Sequence, residues 1–312
     1  MKILYLMGAG HVGSTVIDVV IGAHPRIESL GEAWKLPGAW ADPASDRVCA
    51  CGAEIRACAF WREVRGHWAE RVGDDDVDDG GVERYVAGMG RFEGSRAAWP
   101  RLLQSRLRPS ATFEDYLRRN RALYEAVLRV SGKAMVVESS LSPRRALVLS
   151  MTPGVELYLV HLVRDGRGVI WSHQNPAKRA VRKSFRPAPA WQTTRYWVSA
   201  NLQSAYVYSQ LPQGRRMRLR YEDFATDPDA ALVRLGRFVG EDLSGLLTPD
   251  RAIRQPAPQR HTPGGNRVRL LKEVQVRRDF GWMEHLPAKD RTLFWLCAGW
   301  LARSYGYQRN PS

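Results

Sequence analysis

The chain opens MKILYLMGAGHVGSTV (residues 1–16). Ile3–Met7 is an unbroken apolar run, the pattern of a strand buried on both faces. After the glycines comes Ser14–Ile21, where Ile17, Val20 and Ile21 share one helical face and Ser14 or Thr15 is placed to cap the start. A glycine loop between strand and helix aims backbone N–H groups and the helix dipole at one point, so it is built to hold an anion. The loop fits two registers. Gly8–Gly13 matches G-x-G-x-x-G, the dinucleotide fingerprint, and Gly8–Thr15 matches G-x-x-x-x-G-S-T, a phosphate loop with Ser14 in the usual Lys position.

The rest of the chain repeats the strand–helix alternation. KAMVVESS (133–140), VELYLVHLV (155–163) and MRLRYEDF (217–224) read as strands, the last alternating Met217, Leu219 and Tyr221. Helical patterns lie at 113–131, at PDAALVRLGRFVG (228–240) and at RTLFWLCAGWLARSYGY (291–307). This order predicts an α/β fold, a P-loop-like parallel sheet with helices on both faces. In such sheets ligands bind beyond the carboxyl ends of the strands. Gly8–Thr15, Glu138–Ser140, Arg164 and Tyr221–Asp223 all fall there. Residues from about 38 to 110 read as less regular. They include an acidic run, Asp74–Asp79, expected to be a solvated loop.

With 312 residues and 44% hydrophobic content the chain has ample core. No apolar run reaches the ~18 residues of a membrane span. The start shows no signal-peptide pattern, so the expected place is the cytoplasm. Net charge is +15, and of 47 Lys+Arg only seven are Lys. Arginine excess suits bidentate grip on phosphate or sulfate, and no nucleic-acid motif accompanies it. Of four cysteines, Cys49, Cys51 and Cys58 form C-x-C-G…C-x-F-W. The favoured reading is structural or oxidised thiols holding a loop. A metal is the minority reading, with His67 as the nearby fourth ligand.

Two functions attached to the loop lack their context. A dehydrogenase needs a second strand ending in an acidic residue about 20 positions on. HPRIESLGEAWKLPG (24–38) offers Glu28 and Glu32 but no β-branched run. A kinase or ATPase needs the loop Lys and a strand-end Asp for Mg²⁺, and Glu138 is the nearest candidate.

Four motifs in order resemble the 3′-phosphoadenosine-5′-phosphosulfate (PAPS)-dependent sulfotransferase family, in its bacterial branch. GxxxxGST with HPRIESLGE is similar to the 5′-phosphosulfate loop of that family. HLVRDGRGVIWSH (161–173) is similar to its 3′-phosphate motif, an Arg at a strand tip and a Ser eight residues later. RLRYEDFATDPDAAL (218–232) resembles its Y-E-D segment and HTPGGNRVR (261–269) its late glycine loop. CACG…CAFW also recurs in one bacterial branch. The match covers most of the chain and thins between about 65 and 130.

The resemblance implies a single sulfotransferase-like domain over 1–312, with about 38–130 a variable helical or irregular insertion shaping the acceptor pocket, alongside the basic segment Lys178–Arg186. It implies that Gly10, His11, Val12, Gly13, Ser14 and Thr15 hold the 5′-phosphosulfate. Arg164 and Ser172 would fix the 3′-phosphate, Tyr221 would lie near adenine, and Gly265, Asn266 and Arg267 would close over the nucleotide. PAPS is the implied co-substrate, PAP the product, and no metal is called for. The acceptor would be a hydroxyl on a small molecule, lipid or glycan, reached by in-line transfer. By analogy with phosphoryl transfer, the protein positions reactants and stabilises charge. Glu32 is the first choice of base, with His11 and His173 behind it.

Two positions depart from the family. His11 stands where most members carry Lys or Arg, and imidazoles titrate near pH 6.5, so a stronger pH dependence is expected. Leu141 stands where the bacterial branch often has Lys, with Arg144 and Arg145 close behind. The two missing cations leave a degenerate nucleotide-binding protein as one alternative, and the G-x-G-x-x-G pattern leaves an NAD-dependent oxidoreductase as the other.

Overall fold

The computed structural model describes residues 1–73, 80–94, 97–175, 187–254, 260–271 and 273–310. The acidic run Asp74–Asp79 lies outside them, as does the whole basic segment Lys178–Arg186 together with 176–177. In chain order the elements are β1 (Lys2–Gly8), α1 (Ser14–Ile21), β2 (Ile27–Gly31), α2 (Leu36–Ala41), α3 (Ala59–Val72), α4 (Gly80–Met89), α5 (Ala98–Leu107) and α6 (Ala111–Ser131). There follow β3 (Met135–Leu141), α7 (Pro143–Met151), β4 (Glu156–Val163), α8 (Gly166–Gln174), α9 (Ala190–Ser209) and β5 (Arg216–Arg220). The last elements are α10 (Tyr221–Thr226), α11 (Pro228–Val239), β6 (Ala252–Arg254), β7 (Glu273–Gln275), α12 (Trp282–His285) and α13 (Ala288–Ser304).

Five strands form one sheet in the order β2-β3-β1-β4-β5, and every pairing is parallel. Each central strand buries both faces, so alternate residues serve two cores. Leu4 and Leu6 join the core under α1, α8, α11 and α13, while Ile3, Tyr5 and Met7 join the one under α2–α7. Val160 and Leu162 of β4 divide from Leu157 and Leu159 in the same way. β6 and β7 make a separate antiparallel pair.

The expected α/β class with helices on both faces is what the chain adopts, and four differences have physical reasons. A fifth strand, Ile27–Gly31, was not expected because its sequence carries a single β-branched residue and a buried carboxylate. Lys133 Nζ lies 2.7 Å from Glu28 and makes that burial tolerable. The expected strand through Tyr221 stops at Arg220, and Tyr221 instead begins a short helix. Neither Ser14 nor Thr15 caps α1, because Gly13, in the left-handed region at φ 79°, is its N-cap. Finally, much of 38–110, expected as less regular, folds into helices whose Trp61, Val64, Trp68, Val82 and Tyr85 fill the second core.

A buried polar cluster sits in that second core. Arg145 is 1% exposed and bonds Glu138 Oε1 through Nε at 2.5 Å, the Tyr124 hydroxyl through Nη2 at 2.9 Å, and Glu93 through Nη1 at 3.4 Å. Ser140 and Tyr124 hydroxyls also donate to Glu138. Glu138 is thus consumed by structure, and the Mg²⁺-holding role weighed for it has no vacant oxygen to rest on. Arg145 is equally committed, so it does not replace the cation missing at Leu141.

Candidate active site

The loop after β1 is met by residues from the tips of β4 and β5. Its backbone takes the left-handed region twice, at His11 (φ 65°) and Gly13 (φ 79°), which turns the chain sharply into α1. Gly13 is needed for space as well. A Cβ there would stand 2.5 Å from the ring of Tyr221. With no side-chain cap on α1, its first N–H groups stay directed at the loop mouth.

Three elements close on this loop. From the tip of β4, Arg164 donates through Nη1 to the His11 carbonyl at 2.9 Å. From α8, Ser172 Oγ is hydrogen-bonded to His11 Nδ1 at 3.1 Å. From the start of α10, the Tyr221 ring packs on Gly13 and lies 4.4 Å beneath the Arg164 guanidinium. Burial pushes the Tyr221 phenol up and the Arg164 cation pulls it back. The sequence-predicted group of Gly10–Thr15, Arg164, Ser172 and Tyr221 is therefore one cluster at the carboxyl ends of the strands. Arg164 and Asp165 do not pair with each other. Asp165 holds Arg167 at 2.7 Å, and Arg164 meets Asp279 Oδ2 at 3.0 Å and the Asp279 carbonyl at 2.8 Å.

The late glycine loop also arrives. The Gly264 carbonyl accepts from Glu32 N at 3.1 Å, and a Cβ on Gly265 would touch Thr15 Cγ2 at 3.8 Å. Asn266 turns its side chain back on its own backbone, accepting from Val268 N at 3.4 Å. Both Asn266 and Arg267 are exposed. Glu32 is paired with Lys35. Val12 contributes backbone alone, its side chain being fully buried in the first core.

Sequence reasoning missed several members. Tyr196, on α9, accepts from Gly10 N at 2.6 Å through its hydroxyl. It lies in no motif, and only its helix register places it there. Asp279 lies in no motif either, in a stretch without regular structure between β7 and α12. His173, a runner-up base, has its ring 4.3 Å from that of His11, edge to face. His67, expected near the cysteines, instead pairs with Glu70 at 3.0 Å. All four cysteines are free thiols, and the imidazole beside Cys49 and Cys58 belongs to His261. A groove of about 540 Å³ between α9 and α13, lined by Trp191, Val198, Leu202 and Leu293, includes no residue of the loop cluster.

The profile described as "Sulfotransferase family" matches residues 77–245. The chain belongs to the sulfotransferase family. The matched span carries Arg164, Ser172 and Tyr221, whereas the first loop and the late loop lie outside it and join it through the contacts above. Among solved structures, the chain is similar to the sulfotransferase domain from the curacin biosynthetic pathway, at 16% identity and a TM-score of 0.53 over 96% of this chain and 97% of that one. It is similar also to the sulfotransferase domain from the Synechococcus PCC 7002 olefin synthase, at 16% identity and a TM-score of 0.54 over 100% and 96%. Both likenesses concern the fold. No curated protein sequence matches the chain. Among the described residues no helix is long and apolar enough to cross a membrane.

The strand order also separates this fold from the dinucleotide-binding one. There the second strand lies beside the first and brings its acidic residue to the cofactor ribose. Here β3 intervenes between β1 and β2, and Glu28 is buried against Lys133.

Proposed function

We propose that this sulfotransferase uses PAPS as donor, sulfating a hydroxyl on a small molecule, lipid or glycan. The observation that carries the reading is the meeting of Arg164, Ser172 and Tyr221 on the His11–Gly13 turn. An adenosine with phosphates at both its 5′ and 3′ ends needs such a pair of anion grips with an aromatic face between them. The residues fit that group. The turn is left open by a glycine that admits no Cβ, the helix start has no capping side chain, and Arg164 supplies a planar fork.

In this reading PAPS supplies the activated sulfuryl group. The N–H groups of His11 to Thr15 and the Ser14 and Thr15 hydroxyls hold its 5′-phosphosulfate, while the Gly10 N–H, donated to the Tyr196 hydroxyl, anchors the start of the loop. Arg164 and Ser172 orient the 3′-phosphate, and Tyr221 packs near adenine. Gly265, Asn266 and Arg267 close from the late loop. Glu32 takes the acceptor proton, and Lys35 keeps its carboxylate in place. His11 donates toward the sulfuryl oxygens, where the family uses Lys or Arg, and His11 or His173 is the alternative base. Transfer itself calls for no metal. The described part of the segment 38–130 shapes the acceptor pocket, within a single domain that works in the bacterial cytoplasm.

A second reading, a nucleotide-binding protein without turnover, is favoured by one observation. Arg145 is locked against Glu138, so it does not restore the cation absent at Leu141. One experiment separates the readings. Thermal shift is measured with PAP, Mg²⁺-ATP and NADH, followed by transfer from ³⁵S-labelled PAPS to a panel of phenols, sterols and glycans. A ligand at about 100 times its Kd adds roughly 2.7 kcal/mol, a clear shift. A shift with PAP alone and label in an acceptor supports the donor reading. A PAP shift with no labelled product across the panel supports the silent binder. A shift with NADH alone overturns both.

A further inference from the structure

Cys49, Cys51 and Cys58 stand between α2 and α3, and His261 lies 203 positions beyond Cys58 at the start of the late glycine loop. The fold brings their three sulfurs and one imidazole nitrogen within 4.8 Å of one another. Sulfur–sulfur distances are 3.7 Å for Cys51–Cys58 and 3.8 Å for Cys49–Cys58. His261 Nδ1 is 3.3 Å from Cys58 Sγ and 3.8 Å from Cys49 Sγ. A tetrahedral zinc ion, with Zn–S about 2.3 Å and Zn–N about 2.0–2.1 Å, sets its sulfurs about 3.8 Å apart and its nitrogen about 3.6 Å from each. Four of the six donor–donor distances are thus within about 0.3 Å of that tetrahedron, and the other two are no longer than 4.8 Å.

The backbone is arranged to present them. Val48 and Glu54 form an antiparallel bridge, and Cys49 N donates to Ala53 O at 2.8 Å. Gly52, at φ 93°, closes the turn that carries Cys49 and Cys51. Cys58 is the N-cap residue of α3. Phe60 stacks on the His261 ring at 4.6 Å and 8°, fixing the plane in which Nδ1 faces the sulfurs. Two thiols would make a disulfide and leave the third surplus. Four soft donors on one point use all of them, and a Cys₃His set with no open position is the donor pattern of a structural zinc.

We propose that Cys49, Cys51, Cys58 and His261 bind one zinc ion in a closed site, and that the ion fastens the late glycine loop to the cysteine turn. Each thiol releases its proton to solvent as its sulfur joins the ion, and nothing is oxidised or reduced. Zinc would act where weaker ties already run. Ala50 N donates to Thr262 O at 3.1 Å, and Arg269 Nη2 donates to Val48 O at 2.7 Å. The same loop bonds Glu32 N through Gly264 O and brings Gly265 against Thr15. The ion therefore holds the rim of the anion site without touching the reaction.

The test is elemental analysis of the full chain, expressed with zinc in the medium and purified without chelator, beside a count of thiols reactive in the folded protein. One zinc per chain is expected, with the exposed Cys297 alone reacting until a chelator is added, after which all four react. Cys58→Ser and Cys51→Ser should lose the metal, and His261→Ala should yield it to a chelator that leaves the wild type loaded. Cys297→Ser and His67→Ala should keep it. Cobalt in place of zinc should give the visible absorption of tetrahedral thiolate ligation. A wild-type chain with no stoichiometric zinc and four reactive thiols, or with two of the three clustered cysteines in a disulfide, overturns the proposal without any variant having to fold. Chelation should also weaken PAP binding severalfold. That effect rests on the donor reading, whereas the metal count needs no nucleotide, so the two fail separately.

Discussion

The Arg164 guanidinium lies 4.4 Å over the Tyr221 ring while its Nη1 holds the His11 carbonyl. Stacking and a directed fork are both properties of a planar guanidinium, and an ammonium supplies neither. Arg164→Lys should therefore keep the charge and still lose function. Hydrogen bonds to charged groups contribute about 1.5–3 kcal/mol, so PAP affinity should fall by roughly 10- to 100-fold. Isothermal titration with PAP measures it, and a Lys variant binding as tightly as wild type would remove Arg164 from the 3′-phosphate.

Asp279 predicts a change of the opposite sign. Its carboxylate meets Arg164 Nη2 at 3.0 Å and is 49% exposed, so an arriving phosphate competes with it for the same cation. Exposed pairs of this kind contribute about 0.2–1 kcal/mol. Asp279→Asn should tighten PAP binding about two- to fivefold, with the gain shrinking as salt is raised. Weaker binding in the variant would mean that Asp279 positions Arg164 rather than competing for it.

Glu32→Gln tests the base. The carboxylate is partly exposed beside the late loop and paired with Lys35, and glutamine preserves shape while removing the proton acceptor. A general base contributes about 10²–10⁴-fold, so kcat should fall in that range with PAP affinity unchanged. A loss under about fivefold would pass the role to His11 or His173.

Much of this was legible in the sequence, because the deciding features are local. Strand β1 shows as Ile3–Met7 since both its faces are buried, and the loop shows as glycines since a Cβ at Gly13 meets Tyr221. What stayed hidden depends on chain segments far apart. Tyr196 reaches Gly10 across 186 positions, Arg164 reaches Asp279 across 115, and Cys58 reaches His261 across 203. Spacing rules search nearby, which is why His67 was preferred as the cysteines' partner. β2 was hidden by composition. Glu28 in a five-residue strand reads as surface until Lys133 is seen to neutralise it.

Arg145 gives a prediction on stability. It is buried against Glu138 and Glu93, and its removal strands a carboxylate in the second core. Breaking a buried pair by deleting one partner typically costs about 3–5 kcal/mol. Arg145→Met should lower the unfolding free energy by about that amount in urea titrations followed by circular dichroism. Loss below about 1 kcal/mol would mean that the carboxyls accept protons and the cluster survives uncharged.

Asp18 predicts how stability follows pH. It lies on α1, 1% exposed, with Oδ2 accepting from Ser29 Oγ at 2.7 Å and no partner for Oδ1 among the described residues. Burial raises its carboxyl to about 7, against about 3.9 in an unfolded chain. Between these values the folded state keeps a proton that the unfolded state has released. The stabilising contribution is therefore whole below about pH 4 and is lost as pH rises through about 7. Wild-type Tm should drop by several degrees between pH 5 and pH 8, and Asp18→Asn, which carries no proton to lose, should drop less. Burial displaces the Glu28 and Glu93 carboxyls upward as well, so the variant keeps a residual slope of the same sign. Scanning calorimetry of both proteins across that range measures the difference. Equal slopes would show that Asp18 is ionised in the fold throughout, solvated through its second oxygen.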